Sequence, residues 1–142
     1  MFFLHIYIIF FYKKNNEVPK LNRNDKRSEI KKLDEQIKEY EAKIFKLEET
    51  YKEVKIHYNS IIKKVYEPQK AYDMSPLAVC GKETQAEAEK YKERIVTELE
   101  KSLSDTSKFL SQIVAIKEKI LKEKKDCEDK KKALETELDT IS

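Results

Sequence analysis

The chain has 142 residues, 40% of them charged, with a formal net charge of +3, one glycine and three prolines. A single glycine excludes the Walker loop and the dinucleotide fingerprint, which need several. So small a net charge does not demand a polyanion, so any basic function has to come from local clustering. The composition is that of long, surface-rich helices in one domain at most, and such a chain cannot enclose a sizeable core alone. Its apolar stripe needs a partner, another copy or another chain.

The first twelve residues, MFFLHIYIIFFY, stand apart. As a helix they would reach about 18 Å, short of the roughly 30 Å of a hydrocarbon core, so a membrane span is not expected. The basic residues Lys13 and Lys14 follow the apolar run instead of preceding it, unlike a secretory signal. Segment 1–14 is left open between a misassigned start, an interfacial anchor and a signal sequence. Residues 15–24 are polar, contain Pro19, and read as a linker.

A helix is expected over 25–66. Ile30, Leu33, Ile37, Tyr40, Ile44, Leu47, Tyr51, Val54, Tyr58, Ile61 and Val65 alternate spacings of three and four without a miss. That is the a/d seam of a coiled coil, and pairs such as Glu39 with Lys43 support the outer face. Tyrosines at 40, 51 and 58 fit a wider bundle better than a tight two-stranded zipper. Pro68 is expected to stop this helix, because it lacks an N–H and disfavours helical geometry at Glu67. A connector over 67–83 follows, with Pro76 placed to start a single turn and Gly81 closing it.

Thr84-Gln85-Ala86-Glu87 has the form of a capping box, so a second helix is expected over 84–141. Its seam is Val96, Leu99, Leu103, Thr106, Leu110, Ile113, Ile120, Cys127, Leu134, Leu138 and Ile141. Lys117, Lys124 and Lys131 occupy three successive a positions of the same seam. Burying three ammonium groups in a packed seam is prohibitive. Between 117 and 132 the helix is therefore expected to rotate its face, bend, or run beside water. That window holds eight lysines against five acids, a surplus equal to the whole chain's net charge.

No catalytic constellation emerges. His5 and His57 have no metal-ligand neighbours in sequence, and Cys80 and Cys127 match neither a redox nor a zinc spacing. Two isolated thiols suit a reducing compartment. The chain is expected to be no enzyme, with no cofactor, no metal and no small-molecule substrate. Nucleic acid is disfavoured because acids interleave the lysines and no stacking platform accompanies them.

Val65-Tyr66-Glu67-Pro68 at the end of a long first helix resembles the same four residues in the BAR domains of the amphiphysin family. Gly81-Lys82-Glu83 is similar to that family's Gly-Glu-Lys. The stretch 109–129 resembles a further landmark of the family, through Phe109, Leu110, Gln112, Ile116, Lys117, Lys119, Ile120, Lys122, Lys125 and Asp129. The likeness covers about 25–140, with Lys130-Lys131 standing where the family has Tyr-Asp. The resemblance implies an all-α fold, the first two of three helices of a BAR bundle arranged as a long antiparallel hairpin. The chain is expected to lack the third helix. A homodimer, or a heterodimer with another BAR-type chain, is implied, peripheral on anionic phospholipid membranes in the cytoplasm. The implied role is sensing or inducing curvature in endocytosis or actin-linked remodelling. Lys117, Lys119, Lys122, Lys124 and Lys125 would then face the membrane. The alternative reading is a coiled-coil tether or interaction protein with no membrane activity.

Overall fold

The computed structural model describes residues 21–141, so the apolar segment 1–14 and the linker up to residue 20 lie outside the described residues. Among the described residues the structure is helical, with no strand. The elements are α1 (Arg23–Ile61), a π-helical turn (Ile62–Tyr66), α2 (Glu67–Ala71), a 3-10 turn (Ser75–Cys80) and α3 (Lys82–Asp139). The chain divides into two compact units. Glu39–Lys124 forms one and carries the connector; the described residues up to Lys38 with those from Lys125 onward form the other, the terminal unit.

The helix α1 starts inside the expected linker. Asn22 is its cap: the Asp25 N–H donates to Asn22 Oδ1 at 2.9 Å, and the Lys26 N–H makes the first helical bond to the Asn22 carbonyl. Asn is among the best residues there, since its side-chain oxygen satisfies an amide that the helix leaves free. Asp25 adds a negative charge to the first turn, where the helix dipole favours it.

Pro68 does not stop the helix. Helical bonding carries on through it to Ala71, and the backbone becomes extended only at Tyr72. The accommodation lies just upstream, where the Glu67 N–H bonds back five residues to the Ile62 carbonyl. Proline has no N–H to give, and its ring crowds the carbonyl four residues back. Widening the ladder by one residue ahead of it lets the helix continue.

The extra residue changes which side chains face inward. Up to Tyr58 the expected seam holds: Leu33 is buried, and Ile30, Ile37, Tyr40, Ile44, Leu47, Tyr51, Val54 and Tyr58 are half-buried. Beyond it, Ile61 and Val65 are exposed, at 41% and 44%, while Ile62 and Tyr66 turn inward. The heptad pattern carried straight on in sequence; the backbone stepped over by one.

The connector is shorter than expected, spanning Tyr72 to Gly81. Pro76 is the second residue of the 3-10 turn, and Asp73 organises its start by accepting from the Ser75 N–H and hydroxyl at 2.9 and 2.7 Å. These bonds hold the Asp73 carboxyl below its ordinary pKa, the backbone bond contributing most. Lys92 donates to the Tyr72 carbonyl at 2.6 Å, tying the connector to α3. Gly81 has φ 110°, a conformation that favours glycine, and its carbonyl accepts from the Gln85 N–H. The helix α3 therefore begins two residues before Thr84. Gly81 takes the position before the helix in place of Thr84, whose hydroxyl instead donates back to the Cys80 carbonyl at 3.3 Å.

On α3, Leu110 and Ile113 are buried, and Val96, Leu99, Leu103, Ile120, Cys127, Leu134 and Leu138 are half-buried. Ile141 lies exposed beyond the helix end. In each unit the pairing partners fall along α3 as they rise along α1, so the two stretches run antiparallel. In the terminal unit Lys26 meets Glu137 and Asp34 meets Lys131. In the connector-bearing unit Glu41 meets Lys124, Glu48 meets Lys117, and Tyr66 meets Glu100.

Candidate functional site

The lysines set apart by the sequence separate into two groups. Lys117, Lys124 and Lys131 each stay on the side of α3 that faces α1, within a helix of 58 residues. Each ammonium meets an acid of α1. In the connector-bearing unit Lys117 lies 3.4 Å from Glu48 Oε1 and Lys124 lies 2.9 Å from Glu41 Oε1. In the terminal unit Lys131 lies 2.6 Å from Asp34 Oδ1 and 3.6 Å from Glu135 Oε1. Their side chains are 31%, 23% and 29% exposed, so the methylene stems lie in the seam while the charged ends reach its wet edge. The bond to Asp34 raises the Lys131 pKa, burial opposing it only in part. The cost expected of ammonium groups in the seam is relieved here by pairing and by the wet edge. The sequence carried the remedy in Asp34, Glu41 and Glu48, spaced seven apart like their partners.

The second group points outward. Lys119 and Lys122 of the connector-bearing unit are exposed, as is Lys125 in the terminal unit. Among the described residues no ion pair engages these three. Of the five lysines expected to meet an acidic surface, Lys117 and Lys124 are thus committed to α1, and the other three keep their charge in solvent.

The Val-Tyr-Glu-Pro stretch forms a cluster of its own in the connector-bearing unit. Tyr66, swung inward by the π turn, donates its hydroxyl to Glu100 Oε1 at 2.7 Å and accepts from Lys70 Nζ at 3.1 Å. The Lys70 ammonium also lies over the Tyr66 ring, 5.4 Å from its centroid. The bond to Tyr66, with Glu100 nearby, raises the Lys70 pKa. The stretch expected to stop the helix is instead a latch between the end of the first helical run and α3.

Beside the Lys117–Glu48 pair lies an open groove of about 390 Å³, floored by Leu47, Tyr51, Ile113 and Val114. Further apolar side chains of the same unit remain in solvent, among them Phe45 and Ile56 on α1 at 61% and 66% exposed. On α3, Ile95, Phe109 and Ile116 are exposed and fall on one heptad column, with Ser102 between the first two. Pattern periodicity in the sequence had no place for this column, because it lies outside the a/d seam.

Cys80 is exposed and Cys127 half-buried, both as free thiols. Cys127 Sγ lies 3.7 Å from Gln36 Oε1 in the terminal unit. Among the described residues no cluster of His, Cys, Asp or Glu could hold a metal ion, and no helix is long and apolar enough to cross a membrane. The chain matches no family model, no curated protein and no solved structure.

Proposed function

We propose that the chain is a structural scaffold or tether, a coiled-coil module that completes a helical bundle with a second copy of itself. The observation that carries this is the column Ile95, Phe109 and Ile116, exposed at heptad spacing on α3 while the a/d row beside it is already occupied by α1. Scattered apolar residues on a surface need no explanation, but a periodic column is what a further helix packs against. Among the described residues only Leu33, Leu110 and Ile113 are buried apolar side chains, so the pair of helices gains from added cover. Sedimentation velocity from low to high micromolar concentration tests the reading. The parent should self-associate, and Phe109→Glu with Ile116→Glu should leave a folded monomer. A parent that stays monomeric throughout overturns it.

A second reading has its own support: the BAR-like membrane scaffold, with Lys119, Lys122 and Lys125 toward anionic lipid. All three are exposed, and among the described residues no acid pairs with them. Each cation near an anionic bilayer contributes about 1 kcal/mol, and salt screens it. Pelleting with phosphatidylserine vesicles at low and raised salt should then show salt-sensitive binding that charge reversal at the three positions abolishes. Equal pelleting of parent and variant rejects this reading and leaves the first untouched.

A further inference from the structure

We infer that the seam lysines of α3 and the acids of α1 form a register lock, which selects one antiparallel alignment of the two helices over its heptad-slipped neighbours. An apolar seam alone cannot make that choice. Its repeat is seven residues, so sliding one helix by a heptad returns Leu, Ile and Val to equivalent places. The charged columns are not periodic in the same way. Along α1 the column reads Arg27, Asp34, Glu41, Glu48, Lys55: three acids bracketed by cations. Along α3 it reads Leu110, Lys117, Lys124, Lys131, Leu138: three cations bracketed by leucines.

In the observed alignment all three lysines meet acids. Slide α3 one heptad in one direction and Lys117 meets Glu41 while Lys124 meets Asp34, but Lys131 arrives opposite Arg27 and Glu48 is left against Leu110. The same slide takes Lys26 from Glu137, its partner at 2.7 Å, to Lys130. Slide it the other way and Lys124 meets Glu48 while Lys131 meets Glu41, but Lys117 arrives opposite Lys55 and Asp34 against Leu138. Each slip keeps two attractions, strands an acid on a leucine, and adds a repulsion between like charges at the seam edge. Discrimination of this kind relies on penalising the wrong pairings as much as rewarding the right one. The lock also bars parallel pairing of α3 with α3, which would set each seam lysine against its own copy.

The test uses the full chain with Cys80→Ser, leaving Cys127 as its only native thiol. Gln36→Cys reports the observed register by forming an intrachain disulfide with Cys127, while Glu29→Cys and Lys43→Cys, one heptad either side, report the slips. With native charges only the position-36 variant should cross-link efficiently. Adding Arg27→Glu and Lys55→Glu converts both clashes into attractions and should make positions 29 and 43 cross-link as well. Reversing the three lysines to glutamate should lower the thermal midpoint by roughly 10 °C, and exchanging Asp34, Glu41 and Glu48 for lysine in that variant should recover most of it. If the slipped positions stay silent in the Arg27→Glu, Lys55→Glu background, or if the exchange recovers nothing, the lock does not exist.

Discussion

The π turn makes a prediction that runs against sequence periodicity at two adjacent residues. The heptad pattern puts Ile61 in the seam; the structure exposes it and turns Ile62 inward. Ile61→Ala therefore removes methylene groups that are already largely in water. It should cost under about 0.5 kcal/mol, partly returned by the better helix propensity of alanine. Ile62→Ala removes a half-buried side chain from the face that meets α3. Full burial of isoleucine is worth about 2–3 kcal/mol, so a partly covered one should cost on the order of 1–1.5 kcal/mol. For a chain of this size that difference is roughly 4 °C in the thermal midpoint, readable by circular dichroism with both variants side by side. An uninterrupted α-helix demands the opposite order. If Ile61→Ala is the more damaging of the two, the one-residue step ahead of Pro68 is wrong, and so is the latch that Tyr66 makes to Glu100.

Three further substitution and titration experiments probe the ends and edges of the same architecture. Asn22→Ala should cost about 1 kcal/mol by freeing the Asp25 amide, seen as faster hydrogen exchange in the first turn of α1; unchanged exchange would deny Asn22 the cap. The raised pKa of Lys131 means that the folded state holds its proton more tightly than the unfolded chain does. Its contribution to stability is complete below the ordinary lysine pKa and is lost as pH rises through the higher folded value, so alkaline melting should be blunted by Asp34→Asn. The lowered Asp73 pKa has the opposite sign: its contribution is present above the ordinary aspartate pKa and fades as pH falls through the lower folded value. Asp73→Asn should remove that acid-side loss.

Long-range regularity was legible and local departures were not. The row from Leu33 to Tyr58 needed only its spacing, because any helix of that pattern presents one apolar face. The same holds for Leu99, Leu103, Leu110, Ile113, Ile120 and Leu134. Pro68 misled because proline is a strong breaker in isolation, and nothing in the local sequence announces that a π turn will absorb it. The error then propagated to Ile61 and Val65, whose facing depends on whether the backbone adds a residue upstream of the proline. Thr84 fitted a capping box, yet Gly81 could start the helix earlier at no steric cost, and the extra turn prevailed. The partners of Lys117, Lys124 and Lys131 are not visible from α3 alone, because Asp34, Glu41 and Glu48 lie outside the apolar row that periodicity picks out.

That pairing also bears on how strongly the chain could hold a membrane under the second reading. Five free lysines would supply about 5 kcal/mol at an anionic surface; with Lys117 and Lys124 held by Glu48 and Glu41, three supply about 3 kcal/mol. An energy of that size corresponds to a weak, easily salted-off encounter for a single copy. Two copies joined through the Ile95, Phe109 and Ile116 column, with both sets of lysines reaching the same bilayer, would bring about 6 kcal/mol to it, and the second set would bind intramolecularly. If both proposals hold, assembly would come first and membrane affinity would follow from it. Phe109→Glu with Ile116→Glu, which leaves all three outward lysines in place, should weaken vesicle pelleting nearly as much as reversing the lysines themselves. A monomeric variant that pellets as well as the parent would show that the lysines act without assembly and would break the order.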